Sequence, residues 1–393
     1  MGKAFGRFKK ESGKRFLEIG FFLAVMALTF RAVFAGQDAG ELTAALRRMD
    51  PAGMALAVAL GMVFICMEGL MLRILLRTMG QKSGLLKCIG YSFVGFFYSG
   101  ITPSASGGQP MQLYYMKKDG NRLGDSAVAL MVAALCYKLA LVCIGAGLLL
   151  GRYGMLRERM GGYFGFYVLG MVLNTLLVAL ILGVMLFPQI MTGMIAGAER
   201  GCVRAGFLKP KRERMEKVCR FVESYRDAVA FLKKHPGKLC LVMMLTFVQR
   251  STVFVLTWVV YWGMGLDGTD ALTVIFLQAA VYIAVDMLPV PGAQGITELM
   301  YVQVFGRIFV GGTLTASMLI CRSANFYMPM LVSLIVSAAA QLCARRDKNA
   351  GKAAGAADRD ADGLRPANDP GRADVGPDPG DCGDRPDRPR RPG

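Results

Sequence analysis

Histidine is nearly absent from this sequence: the single one, His235, sits beside Pro236 in a polar connector. A Ser-His-Asp triad or a histidine metal cluster therefore has almost nothing to work with. No G-x-x-x-x-G-K-[ST] phosphate loop occurs, so ATP-driven export by this chain alone has no support. The ten cysteines run from Cys66 to Cys382 without a C-x-x-C pair, and six fall inside apolar stretches, which argues against a zinc site or a disulfide framework. No metal and no cofactor is expected. Charge is scarce too. Charged residues make up 19% of the chain and hydrophobic ones 54%, a balance that excludes an ordinary soluble globule.

What is present is membrane-length apolar sequence. Segments fall at about Phe16–Ala35, Met54–Met71, Leu85–Thr102, Ser126–Leu150, Tyr163–Phe187, Leu239–Trp262, Ala271–Leu288 and Thr313–Leu342. Each is close to the length a bilayer core requires. The first is followed by charged sequence with no small-x-small cleavage site and reads as a retained span rather than a signal peptide. The net charge of +18 gathers in short loops, where it acts as a topology signal and attracts anionic lipid; no nucleic-acid partner is expected.

Those loops reject eight simple crossings. Lys3, Arg7, Lys9, Lys10, Lys14 and Arg15 against Glu11 place the N-terminus in the cytoplasm. Eight crossings would then put residues 188–238, with twelve Lys and Arg, outside. If Leu85–Thr102 instead dives in from the cytoplasm, breaks, and returns as Gln109–Met116, that basic loop lands inside and the acidic Gly263–Asp270 loop lands outside. The same device recurs at "PVPGAQGITE", Pro289–Glu298, opening to the other face. The expectation is an all-α integral membrane protein with about six full transmembrane helices and two oppositely oriented re-entrant hairpins, the signature of an inverted repeat. Both termini are then cytoplasmic. The outer loop with Arg152, Arg157 and Arg159 fits the charge rule least well.

Residues 1–342 form the membrane domain in this reading, and residues 343–393, rich in Asp, Gly, Pro and Arg, form a disordered cytoplasmic tail. Within the basic loop at 188–238, a helix from about Glu213 to Lys234 carries Met215, Val218, Phe221, Val222, Tyr225 and Val229 on one side. It either lies along the interface or simply connects two spans.

The breaks are where chemistry is expected, because a non-helical backbone inside a bilayer survives only when buried in protein or lining a polar cavity. Gly107 and Gly108 permit a tight reversal and close approach, and Pro110 suits the first turn of the returning half-helix. That half-helix aims free N–H groups toward the membrane midplane, an anion site. Ser104, Ser106, Gln109 and Gln112 add hydrogen-bonding groups, and Tyr114, Tyr115, Lys117 and Lys118 line the way to the inner surface. After Pro289 and Pro291 end a helix, Gly292, Gln294, Gly295 and Thr297 offer similar groups.

Glu68, Lys138, Arg250, Asp286, Glu298 and Arg322 fall within apolar segments, where each costs about 2.5–3.5 kcal/mol on insertion scales and so must face a partner or a cavity. Lys138, Arg250 and Arg322 either hold a lipid phosphate or serve structure, with Arg250 and Arg322 pairing with Asp286 and Glu298. Glu18, Arg31 and Arg73 lie near span ends and can snorkel.

"TPSASGGQPMQLYYMKKDG", Thr102–Gly120, resembles the T/S-P-x-x-x-G-G-Q-P-x-Q-x-Y-x-L/M-x-K-x-G hallmark of the lysylphosphatidylglycerol synthase transmembrane family, the flippase half of the bacterial multiple-peptide-resistance factor. "LPVPGAQGITE" and "CRSANFYMP", with Arg322 and Pro329, resemble that family's later hallmarks, and together they cover Phe16 to Leu342. The resemblance implies a flippase of the bacterial cell membrane that moves aminoacylated phosphatidylglycerol or a related anionic or polyprenyl-linked lipid between leaflets. It links the chain to antimicrobial peptide resistance. Full-length members add a cytoplasmic synthase domain that transfers lysine from lysyl-tRNA to phosphatidylglycerol, and about fifty residues after Leu342 are too few for such a fold. Two alternatives stay open: phosphatidylglycerol lysyltransferase activity, and a membrane partner for a separate cytoplasmic synthase. A glycosyltransferase or phosphatase built on Asp286 and Glu298 lacks a paired-acid motif.

Overall fold

The computed structural model describes residues 43, 44, 47, 49–102, 105–187, 212–288, 295–309 and 313–342, with side chains from 222 onward in the segment 212–288. Among them are helices and no strand. The helices are α1 (Pro51–Thr78), α2 (Leu85–Ile101), α3 (Gly108–Lys118), α4 (Leu123–Gly151), α5 (Tyr153–Met160), α6 (Phe164–Leu186), α7 (Arg212–Lys233), α8 (Pro236–Gly263), α9 (Ala271–Val285), α10 (Ile296–Phe305) and α11 (Thr313–Leu342). Five continuous helical stretches are long and apolar enough to cross a membrane: α1, α4, α5 with α6, α8 and α11. Helices α2, α9 and α10 are shorter and apolar. The expected first span, Phe16–Ala35, the start of the basic loop and the tail at 343–393 lie outside the described residues.

Local chemistry sets several helix ends. Asp50 caps α1 by accepting from the Gly53 N–H at 3.0 Å, with Pro51 in the first position. Asp270 caps α9 by accepting from the Thr273 N–H at 3.0 Å. Inside α11, Pro329 cannot donate to the Asn325 carbonyl and its ring crowds it. The helix answers by widening into a π turn over Ser323–Tyr327, where the Met328 N–H reaches back to the Ser323 carbonyl.

Contacts near the helix ends show how the chain runs. At one end Ser83 Oγ donates to Asn121 Oδ1 at 2.8 Å, Gln81 Nε2 to Asp125 Oδ2 at 2.5 Å, and Tyr91 OH to Asp119 Oδ2 at 2.7 Å. The connector before α2 and the one after α3 therefore meet, and α2–α3 forms a helix–break–helix hairpin. At the other end the Asp50 N–H donates to the Gly263 carbonyl at 2.9 Å. There Tyr261 OH accepts from the Thr269 N–H at 2.9 Å and stacks edge-on with Phe309 at 5.4 Å. The approach to α9 and the exit from α10 thus meet as well, and α9–α10 forms a second hairpin on the opposite end.

Helix α1 lies along α8 and also meets α2 and the π turn of α11. Small residues permit this crowding. A Cβ on Gly61 would fall 2.0 Å from the Ala324 carbonyl oxygen, and one on Gly69 would fall 2.6 Å from the Ile89 Cα. Helix α6 instead leaves Leu169, Val172, Leu176 and Leu180 exposed, the surface of a helix that faces lipid. The polar helix expected at Glu213–Lys234 is α7. Its Tyr225, Ala228, Val229 and Leu232 are buried in one cluster with Val128 and Ala129 of α4 and Val242 of α8, so that part of its apolar side faces protein, not a membrane surface. The segment with Arg152, Arg157 and Arg159, expected as a loop, is largely the helix α5.

Candidate functional site

The first break spans the short reversal between α2 and α3. Thr102 Oγ1 donates to the Tyr98 carbonyl at 2.6 Å and accepts from the Gly107 N–H at 2.9 Å, so one hydroxyl closes the helix that ends and the helix that begins. Ala105 takes a positive φ of 53° within the reversal. Gly108 lies directly against α2: a Cβ there would sit 2.0 Å from Ser99 Oγ and 2.7 Å from the Gly95 carbonyl oxygen. One turn on, buried Gln112 packs on Gly95 and donates through Nε2 to Glu68 Oε1 of α1 at 2.7 Å. Ser106, Gln109 and Pro110 are exposed on the break, Lys117 is exposed near the end of α3, and Tyr115 is buried. Ser104, Pro291, Gly292 and Gln294 lie outside the described residues.

A cluster of charges and aromatic rings occupies the space between α1, α4, α8 and α9. Lys138 Nζ forms an ion pair with Asp286 Oδ2, and Tyr137 OH donates to Asp286 Oδ1. Lys138 also approaches Met287 Sδ at 3.2 Å. Arg250, 6% exposed, is held differently. Its guanidinium lies over the rings of Tyr137 at 4.0 Å and Phe64 at 4.3 Å. Its two terminal nitrogens reach Tyr282 OH at 3.3 Å and Gln249 Oε1 at 3.0 Å. Its Nε is buried with no acceptor, and no carboxylate makes an ion pair with it among the described residues. Asp286 is committed to Lys138 and Tyr137, and Glu68, near enough to attract Arg250, is committed to Gln112. Cation–π contacts of this desolvated kind contribute on the order of 2 kcal/mol, which is less than the cost of burying an unpaired charge.

The second break brings α9, α10 and α11 together. Arg322 Nε donates to Glu298 Oε1 at 2.5 Å, both side chains nearly buried. Glu298 Oε2 and Gln278 Oε1 are buried without partners, and both residues line one pocket with Thr297, Tyr301, Arg322 and Asn325. Gly295 precedes α10 with a positive φ of 80°, a conformation that suits glycine.

Of the ion pairs expected from the sequence, Arg322 with Glu298 forms. Asp286 is taken by Lys138 instead of Arg250, because Tyr137 and Lys138 approach it from α4. Sequence reasoning missed Tyr137, Gln249, Gln278 and Tyr282. Each is a polar residue inside an apolar segment, and extending the scan for charges to amides and phenols would have found them.

No curated protein matches the sequence. The family described as lysylphosphatidylglycerol synthase TM region matches residues 15–333, which include both breaks, the charge cluster and the π turn. This is a multi-pass membrane protein, and the chain belongs to the lysylphosphatidylglycerol synthase TM region family.

Proposed function

We propose that the chain is a lipid translocator of the bacterial inner membrane, moving aminoacylated phosphatidylglycerol or a related anionic or polyprenyl-linked lipid between leaflets. The observation that carries this reading is Arg250: a buried guanidinium fixed between two rings, with a bare Nε and no carboxylate of its own. A lipid phosphate would supply the missing anion through charge-assisted hydrogen bonds. Lys138 and Arg322, already paired, would help an anionic headgroup past without holding it. The exposed Ser106, Gln109 and Lys117 would line its route. The five described spans, together with the span expected at Phe16–Ala35, would give a topology of six spans and two re-entrant hairpins opening to opposite faces, a reading supported by each hairpin beginning and ending at one end of the bundle. Arg152, which charge counting would rather keep inside, is close enough to Asp270 to attract it, which eases its placement outside.

The test is reconstitution into liposomes with labelled lipids and an outer-leaflet accessibility readout. Arg250→Gln is expected to lower transfer of an anionic phospholipid at least tenfold, which corresponds to about 1.4 kcal/mol, while thermal stability stays near wild type. Unchanged transfer would remove Arg250 from the site. Topology is checked separately by cysteine labelling on a Cys-depleted background. Positions near Asn121 and Lys234 should label from the cytoplasm and Asp267 from outside; external labelling at Asn121 would abolish the first hairpin and the inverted repeat with it.

A further inference from the structure

Two side chains that line the pocket at the second break each carry a buried oxygen with nothing to accept from. Glu298 and Gln278 are each 5% exposed, yet Glu298 Oε2 and Gln278 Oε1 have no hydrogen-bond partner and both residues line this pocket. Buried polar groups in native proteins are satisfied, so two bare acceptors in one pocket call for a bound hydrogen-bond donor or a cation. Asn325, on the π turn, lines the same pocket, and π turns concentrate at functional positions. Interrupted helices are also where membrane transporters hold coupling ions.

We infer that this pocket binds a sodium-sized monovalent cation between Glu298 Oε2 and Gln278 Oε1. The charges explain why it would bind with the lipid rather than alone. By formal charge, Glu68, Asp286 and Glu298 sum to zero with Lys138, Arg250 and Arg322, the six charged residues inside the apolar segments that form these two sites. An anionic headgroup at Arg250 leaves this set one charge negative, and a cation at Glu298 restores neutrality. The inference therefore rests on the anion reading of Arg250, and linkage makes the effect reciprocal: cation and anionic lipid each strengthen the other's binding.

The full chain is placed in nanodiscs of phosphatidylcholine, with or without phosphatidylglycerol, and its thermal midpoint is followed by the fluorescence of Trp258 and Trp262 in sodium chloride or choline chloride at constant ionic strength. The midpoint is expected to rise saturably with sodium, and phosphatidylglycerol is expected to lower the half-saturating concentration at least fivefold. Gln278→Met, which leaves the Arg322–Glu298 pair intact, should fold and lose the sodium response. Equal midpoints in sodium and choline, the result expected if the acceptors hold only water, overturn the inference. So does a sodium response that survives Gln278→Met. If phosphatidylglycerol stabilises the wild type and not Arg250→Gln while sodium does nothing, the cation site fails and the Arg250 reading stands. A sodium response that phosphatidylglycerol leaves unchanged overturns the coupling, while the role of Arg250 is decided by whether Arg250→Gln loses the stabilisation by phosphatidylglycerol.

Discussion

The two helix breaks solve one problem in different ways. Each interrupts a helix between apolar segments and must satisfy the backbone groups it frees. The break between α2 and α3 does so with close packing and a short chain of hydrogen bonds: Thr102 caps Gly107, Gly108 presses on Ser99 and Gly95, and Gln112 donates to Glu68. Among the described residues that flank the break between α9 and α10 the contacts are ionic, with Arg322 on Glu298 and Lys138 on Asp286, and two acceptors stay bare. A tightly packed junction resists displacement. A junction held by ion pairs can exchange partners when a ligand brings charge of its own. The first break is therefore suited to a fixed wall and the second to a responsive site.

The sharpest way to break this contrast is to remove one partner of the second break's pair. Glu298→Gln takes the carboxylate away from buried Arg322, and removing one charge of a buried pair costs about 3–5 kcal/mol. Arg322→Gln should cost a similar amount. The double variant, with two neutral amides in place of the pair, should recover most of that stability in a thermal-unfolding measurement. Its transport then separates the roles. A double variant that is stable but inactive makes the charges part of the lipid path, whereas full transport reduces the pair to a structural tie.

At the first break the matching change is steric. Gly108→Leu inserts a side chain where even a Cβ would overlap the Gly95 carbonyl oxygen, and overpacking of this kind costs about 1–3 kcal/mol. Helices α2 and α3 must separate, so lipid transfer should fall to background while much of the protein still inserts. Transfer at the wild-type rate would show that this junction is no wall at all.

How much of this contrast the sequence discloses depends on the kind of interaction. The breaks themselves are legible, because proline and paired glycines interrupt apolar runs at Thr102–Pro110 and again at Pro289–Gly295, and few residue types can do that. The Glu298–Arg322 pair is half legible: both residues stand out by charge, and only the fold shows that the two meet 24 residues apart. The choice of Lys138 over Arg250 as the partner of Asp286 is not legible, since it depends on how α4 and α9 face each other. Nor does the sequence reveal that part of the apolar side of α7 is spent on α4, because an amphipathic pattern looks the same against protein or against lipid.

The smallest expected effect tests whether the hairpins also differ at their entrances. Helix α9 begins with Asp270 as a side-chain cap, whereas α2 begins at Gly84 with none. Hydrogen bonds from Thr273 hold the Asp270 carboxyl below its ordinary pKa. A depressed carboxyl contributes stability that is fully present above its unfolded-state pKa and is lost as pH falls through the lower folded-state value. Wild type should therefore lose the cap on acidification below about pH 4, the region where free aspartate titrates. Asp270→Ala should lower stability by about 1 kcal/mol at neutral pH and flatten that part of the acid response. Asp270→Asn, an equally good cap without a titrating group, should keep the neutral-pH stability and lose only the pH dependence. Thermal midpoints measured from pH 3 to 7 distinguish the three proteins, and an acid response in Asp270→Asn equal to wild type would assign it to another carboxylate.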